Sequence, residues 1–217
     1  MTFYLGLDLG QAHDYTALAI VRKGDGPAPV AYEVPWLERF PLNTSYPAIV
    51  AAVARRCRQL ATQALEPGPE PGVRYADRPL GEGHVAQRLI VDATGVGRPV
   101  VDLLRRERLP GILYDVTITG GDTATHQGSS WRVPKRELVS VAQVLLQSGR
   151  LKVAEALPDT AVLTRELLNF QVKINDQAHD SYGAWREGTH DDLVLAVALA
   201  CWAGEHLGTV NARVIPY

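Results

Sequence analysis

Two apolar runs, 3–9 and 15–22, are rich in Leu, Ile, Val and Tyr and are joined by a polar turn at 10–14. Runs joined this closely predict a β-hairpin, and the first, apolar along most of its length, reads as a central strand. A third strand is expected at 29–36, after the Gly-rich turn at 24–27. Ile49, Val53, Cys57 and Leu60 then recur at helical spacing, predicting a helix over 46–65 with Thr44 or Ser45 as its cap. From 66 to 83 Pro and Gly dominate and the periodicity lapses, so this stretch is read as an excursion outside the core.

Beyond it the pattern predicts a strand at 88–92, a tight turn at 95–97 and a helix at 99–108. A strand at 112–118 and a Gly/Thr-rich loop at 119–130 follow. A helix at 134–148, a short strand at 151–153, a helix at 159–170 and an amphipathic helix at 193–206 complete the chain. No repeat appears. This order predicts an α/β protein, a mixed sheet flanked by helices, and 217 residues fit a single domain.

Hydrophobic content of 46% and charged content of 21% are those of a globule with a sizeable core. The net charge of −2 excludes a uniformly basic nucleic-acid binder. It leaves room for local basic clusters, at Arg55, Arg56 and Arg58, at Arg105, Arg106 and Arg108, and at Arg132, Lys135 and Arg136. Cys57 and Cys201 lie in apolar helical patterns and read as buried, reduced thiols of a cytoplasmic protein. No basic leader precedes the first strand, and no apolar run reaches the ~18 residues of a membrane span.

The candidate chemistry lies in three acidic stations: Asp8 in the first strand, Asp92 at the end of the 88–92 strand, and Asp191 with Asp192 at the start of the last helix. Taken singly, each has a structural reading. Asp8 can bond the turn at Gly10, Asp92 the amides of Thr94 and Gly95, and an acidic residue in a first helical turn suits the macrodipole. Taken together, converging carboxylates repel unless a cation lies among them, and an all-oxygen set suits Mg²⁺ or Mn²⁺ better than zinc. Two such ions about 3.5–4 Å apart would serve phosphodiester hydrolysis. His190 reads either as a helix-start residue or as a site neighbour that orients water.

Arg132, Lys135 and Arg136, with Trp131, form a flexible basic and aromatic edge able to hold a phosphate backbone; the alternative is a solvated helix terminus. Lys173 and His179 have weaker claims, and Glu166 reads as a surface or structural ion-pair residue. No Gly-x-x-x-x-Gly-Lys-Ser/Thr phosphate loop occurs.

Four blocks carry a resemblance: Gly6 to Gly10 with Asp14 to Ala17, Leu89 to Gly97, Val133 to Val139 with Gly149 to Leu151, and His190 to Ala196. In this order they resemble the C-terminal nuclease domain of the phage terminase large subunit, an RNase H-like module. The resemblance implies an RNase H-like fold over 1–217, with the excursion at 66–83. It implies two Mg²⁺ or Mn²⁺ ions held by Asp8, Asp92, Asp191 and Asp192. The implied activity is a metal-dependent endonuclease of low sequence specificity that cuts concatemeric viral DNA during genome packaging in the host cytoplasm. The implied partners are double-stranded DNA, a packaging ATPase domain or subunit, the small terminase and the portal, with no membrane. No ATPase motifs occur in this chain, which reads as an excised domain or a nuclease encoded alone. A Holliday-junction resolvase of the same superfold is the enzymatic alternative. A non-catalytic DNA-binding or assembly module is the alternative of another class, and an actin-like sugar kinase would need a second phosphate loop that is not displayed.

Overall fold

The computed structural model describes residues 2–10, 14–61, 86–95, 97–169 and 191–207. The strands are β1 (Thr2–Asp8), β2 (Ala17–Lys23), β3 (Tyr32–Arg39), β4 (Ala86–Asp92), β5 (Ile112–Thr119), β6 (Thr125–Gln127), β7 (Ser130–Pro134) and β8 (Leu151–Val153). The helices are α1 (Tyr46–Ala61), α2 (Gly97–Arg106), α3 (Lys135–Gln147), α4 (Thr160–Asn169) and α5 (Asp192–His206). All eight strands form one sheet in the order β6-β7-β5-β4-β1-β2-β3-β8. The hairpin β1–β2 and the β2–β3 pair are antiparallel, while β4 lies parallel to β1 and β5 parallel to β4, so the sheet is mixed as expected.

Every residue of β1 is buried, which fits a central strand covered on both faces. The two-residue period of the strand splits its side chains between two cores. Phe3, Leu5 and Leu7 pack with Leu18 and Ile20 against Val53 and Leu60 of α1 and Val100 and Leu104 of α2. Tyr4, with Ala17, Ala19 and Ile90, lies in the other core, with Leu138 of α3 and Trp202 of α5. Gly6 faces α5 at a separation no other residue permits: a Cβ there would stand 1.9 Å from the Ala196 carbonyl oxygen.

Three expectations need correction. The helix over 193–206 is not amphipathic, since each residue of α5 from Asp192 to Gly204 is buried. Packed beneath β1 and β2 and against α3 and α4, it is covered all round. The 119–130 stretch is not a loop throughout: β6 and β7 pair antiparallel, and β7 continues the sheet beside β5. These strands are short, β6 exposed throughout and β7 buried only at its end, so they carry no apolar alternation to read. The third strand starts at Tyr32 rather than 29, and Pro35 sits inside it. That proline, which has no N–H to donate, falls where the β2–β3 register shifts between Ile20 and Arg22. The 66–83 excursion, Lys173, His179 and His190 lie outside the described residues.

Candidate active site

Parallel pairing puts the carboxyl ends of β1 and β4 side by side, with Leu7 opposite Val91 and an aspartate following each. Ligands gather at this end of parallel strands. The N-terminus of α5 arrives at the same place because α5 runs back along β1, its Ala196 against Gly6 near the site and its Gly204 against the Tyr32 ring at the far end. Asp8, Asp92 and Asp192 are buried, at 6%, 9% and 4% exposure, and Asp191 is partly open to solvent. The four sequence-predicted carboxylates thus come to one end of the sheet.

The electrostatics record how close they are. Burial pushes the Asp8 carboxyl well above its ordinary value, and the charges of Asp92, Asp192 and Asp191 push it further, with Lys135 opposing. Asp92 is raised by burial too, opposed by hydrogen bonds from Thr94 and with the Asp8 side chain. The Thr94 amide donates to Asp92 Oδ1 at 2.8 Å, so the turn-forming bond and the position beside Asp8 coexist.

Asp191 occupies the N-cap position of α5 but makes no capping bond. Its Oδ2 accepts from Lys135 Nζ at 3.1 Å instead. Asp192 Oδ2 accepts from the Arg39 guanidinium at 2.9 Å. The cap comes from another helix: Glu166 Oε2 accepts the amides of Leu193 and Val194 at 3.0 and 3.2 Å. Glu166 is 7% exposed, and burial pushes its carboxyl up to about 7. Of the two readings of Glu166, a surface or a structural ion-pair residue, the structure supports the second: Glu166 is buried beside Arg39 and clamps the helix start that presents Asp191 and Asp192. Its spacing from the buried Leu163 put it on the inner face of α4, a signal available in the sequence. Arg39, at the end of β3, had no such signal.

The basic edge divides. Lys135 turns inward to Asp191, whereas Arg136 pairs with Asp122 at 2.7 Å and Arg132 is exposed on β7. Trp131 is not on a flexible loop. It stacks on His126 at a centroid distance of 4.2 Å and packs edge-on against Trp202 at 5.1 Å, which ties the β6–β7 hairpin to the core.

Among the described residues no three His, Cys, Asp or Glu side chains stand in a ready-made metal-ligand cluster. Asp8 and Asp92 engage each other, and Asp191 and Asp192 engage Lys135 and Arg39. The donor chemistry nonetheless fits a hard divalent cation. All the donors are oxygen, and a cation would relieve the like-charge repulsion that raises Asp8. Cys57 and Cys201 are buried free thiols, the former pushed up to about 12 by burial, and neither joins the site. No helix among the described residues is long and apolar enough to cross a membrane.

Residues 5–203 match the family model of the terminase RNaseH-like domain. The fold is similar to the large terminase nuclease from thermophilic phage G20c, with a TM-score of 0.54 and 18% identity over 92% of this chain and 80% of that one. It is also similar to the nuclease domain of the g2p large terminase from bacteriophage SPP1 with bound Mn, at TM-score 0.51 and 11% identity, covering 92% and 85% of the two chains. The P22 large terminase nuclease domain aligns at TM-score 0.50 with 12% identity over 93% and 80%. No curated protein matches the sequence. The chain therefore belongs to the terminase RNaseH-like domain family, with an RNase H-like mixed sheet of eight strands flanked by five helices among its described residues.

Proposed function

We propose that this chain is a divalent-metal-dependent DNA endonuclease that cuts concatemeric viral DNA during genome packaging. The observation that carries the reading is the gathering of Asp8, Asp92, Asp191 and Asp192, from two parallel strands and one helix start, at one end of the sheet, where burial and the neighbouring carboxylates raise the Asp8 carboxyl. Burying like charges together is costly for a fold that gains nothing from them. Asp8, Asp92, Asp191 and Asp192 would hold two Mg²⁺ or Mn²⁺ ions, whose chemistry when bound is to activate water and stabilise the leaving oxygen of a phosphodiester. The Mn bound to the SPP1 relative supports divalent metal use by this fold.

The chain's own residues supply the rest. Asp8 and Asp92 stand at the ends of adjacent parallel strands, so the sheet itself fixes their spacing. Glu166 fixes the α5 start, so Asp191 and Asp192 are presented from a rigid element. Arg132 and Arg136, on the face of the β6–β7 hairpin and the first turn of α3, would grip phosphates without reading sequence, consistent with low sequence specificity. A packaging ATPase domain or subunit, the small terminase and the portal would deliver the DNA in the host cytoplasm.

The test is incubation of supercoiled plasmid with the protein in Mn²⁺, Mg²⁺ or EDTA, beside Asp8→Asn and Asp92→Asn. Metal-dependent nicking and linearisation that both substitutions abolish is the expected result. Equal cleavage by wild type and both variants would mean that the activity comes from elsewhere and sink the reading. Strong preference for four-way junctions over linear duplex would move it to a resolvase, and DNA binding without cleavage to an assembly module.

A further inference from the structure

Arg39 and Glu166 flank Asp192, and each has a polar atom to spare. The Arg39 guanidinium donates to Asp192 at 2.9 Å, lies 3.7 Å from Glu166 Oε1 and covers the Tyr15 ring at 3.8 Å. Glu166 commits Oε2 to the α5 amides, but its Oε1 is buried and has no hydrogen-bond partner among the described residues. Arg39 Nε is buried and equally unpartnered there. A buried acceptor and a buried donor left unmade on adjacent, oppositely charged groups is an arrangement one short movement from a better bond.

We propose that Arg39 is the resident counter-charge of Asp192 and that Glu166 is its second seat, onto which the guanidinium passes when a divalent cation binds Asp192. The proposal rests on the reading of Asp192 as a metal ligand. With Arg39 left in place, an incoming cation would meet a guanidinium already bonded to the same carboxylate, in surroundings with little water to screen the repulsion. Moved to Glu166 Oε1, the guanidinium satisfies the orphaned oxygen and neutralises the carboxylate that clamps α5. The Tyr15 face supports it by cation–π attraction in either position. Arg39 and Glu166 are thus positioning residues for the metal.

The experiment is calorimetric titration of Mn²⁺ into the full chain without DNA, for wild type, Arg39→Gln, Glu166→Gln and the double variant, with circular dichroism as the check of fold. Glutamine at 166 keeps an oxygen for the α5 amides and removes only the charge. Arg39→Gln removes the competitor and should tighten Mn²⁺ binding about tenfold, while Glu166→Gln removes the second seat and should weaken it about tenfold. The double variant should match Arg39→Gln, because Glu166 acts through Arg39. Additive effects, or an unchanged Glu166→Gln, overturn the proposal while leaving the metal site standing. Failure of wild type and Arg39→Gln alike to bind Mn²⁺ overturns the metal reading of Asp192 and this proposal with it.

Discussion

Asp8 and Asp92 end adjacent parallel strands with both carboxyls buried, close enough that the charge of Asp92 raises Asp8. Burial disfavours the charge on both, and a cation between them would offset that cost. Replacing Asp8 with Asn supplies a neutral donor of the same shape. Asp8→Asn should raise the stability of the metal-free protein near neutral pH, because it removes the buried charge and the repulsion from Asp92, Asp192 and Asp191 that push the Asp8 carboxyl up. The same substitution should abolish plasmid cleavage, the trade expected where a site stores strain for its chemistry. Urea unfolding in EDTA beside the cleavage assay checks both halves, and a less stable Asp8→Asn would contradict the reading of a repulsive pair.

The raised carboxyls set a pH dependence with a definite sign. Asp8, Asp92 and Glu166 each bind a proton more tightly in the folded chain than in the unfolded one, Glu166 with its carboxyl pushed up to about 7. Their contribution to stability is complete below the unfolded carboxylate values of about 4 and is lost as pH rises through the folded ones. Metal-free protein should therefore lose stability between pH 5 and 8, about one to two powers of ten in the folding equilibrium from Glu166 alone. In Glu166→Gln the fall should be shallower. Thermal melts across that range in EDTA, repeated with saturating Mn²⁺, measure the slope, and Mn²⁺ should raise the melting temperature most at the alkaline end.

Much of the site was legible because a central strand buried on both faces tolerates few charges, so Asp8 among Tyr4, Leu5 and Leu7 stood out. Asp92 was legible for the same reason after Leu89, Ile90 and Val91, and Asp191 and Asp192 stood out as adjacent acidic residues at a helix start, although that helix was expected to be amphipathic and is buried all round. Arg39 was not legible, and for Glu166 the spacing from Leu163 signalled only an inward face, because what both residues do depends on partners more than twenty residues away in sequence. The β6–β7 hairpin was missed because β6 is three exposed polar residues and β7 is too short to show a period, and what orders the pair is Trp131 packing on Trp202, a contact that no period announces. His190, beside the acidic pair in sequence, has no described position.

Gly6 tests the placement of α5. A methyl group there would meet the Ala196 carbonyl oxygen at 1.9 Å and the Ala200 nitrogen at 3.1 Å, backbone atoms that a rotamer change cannot clear. Gly6→Ala should destabilise by about 2–3 kcal/mol, as overpacking does. Because α5 carries Asp192 and is pushed off β1, Mn²⁺ affinity should fall as well. Unfolding and calorimetry on the same preparation check this, and a Gly6→Ala of native stability would show that the close approach of helix and strand is not needed.

The basic edge separates by what each side chain faces. Arg132 is exposed on β7, and Arg136, although paired with Asp122, lies at the surface, where an exposed pair contributes at most about 1 kcal/mol and yields readily to a phosphate. Lys135 faces Asp191 from a position only 12% exposed. Arg132→Ala and Arg136→Ala should each weaken binding to duplex DNA by a similar factor whatever its sequence. Each should also flatten the dependence of log affinity on log salt by roughly 0.9, the signature of one lost phosphate contact. Lys135→Ala should leave that slope nearly unchanged, because its charge is spent on Asp191, and should alter Mn²⁺ affinity instead. Fluorescence anisotropy of a labelled duplex over a salt series, with EDTA present to prevent cutting, separates the two classes. A Lys135→Ala slope change as large as that of Arg132→Ala would place Lys135 on the DNA rather than among the carboxylates.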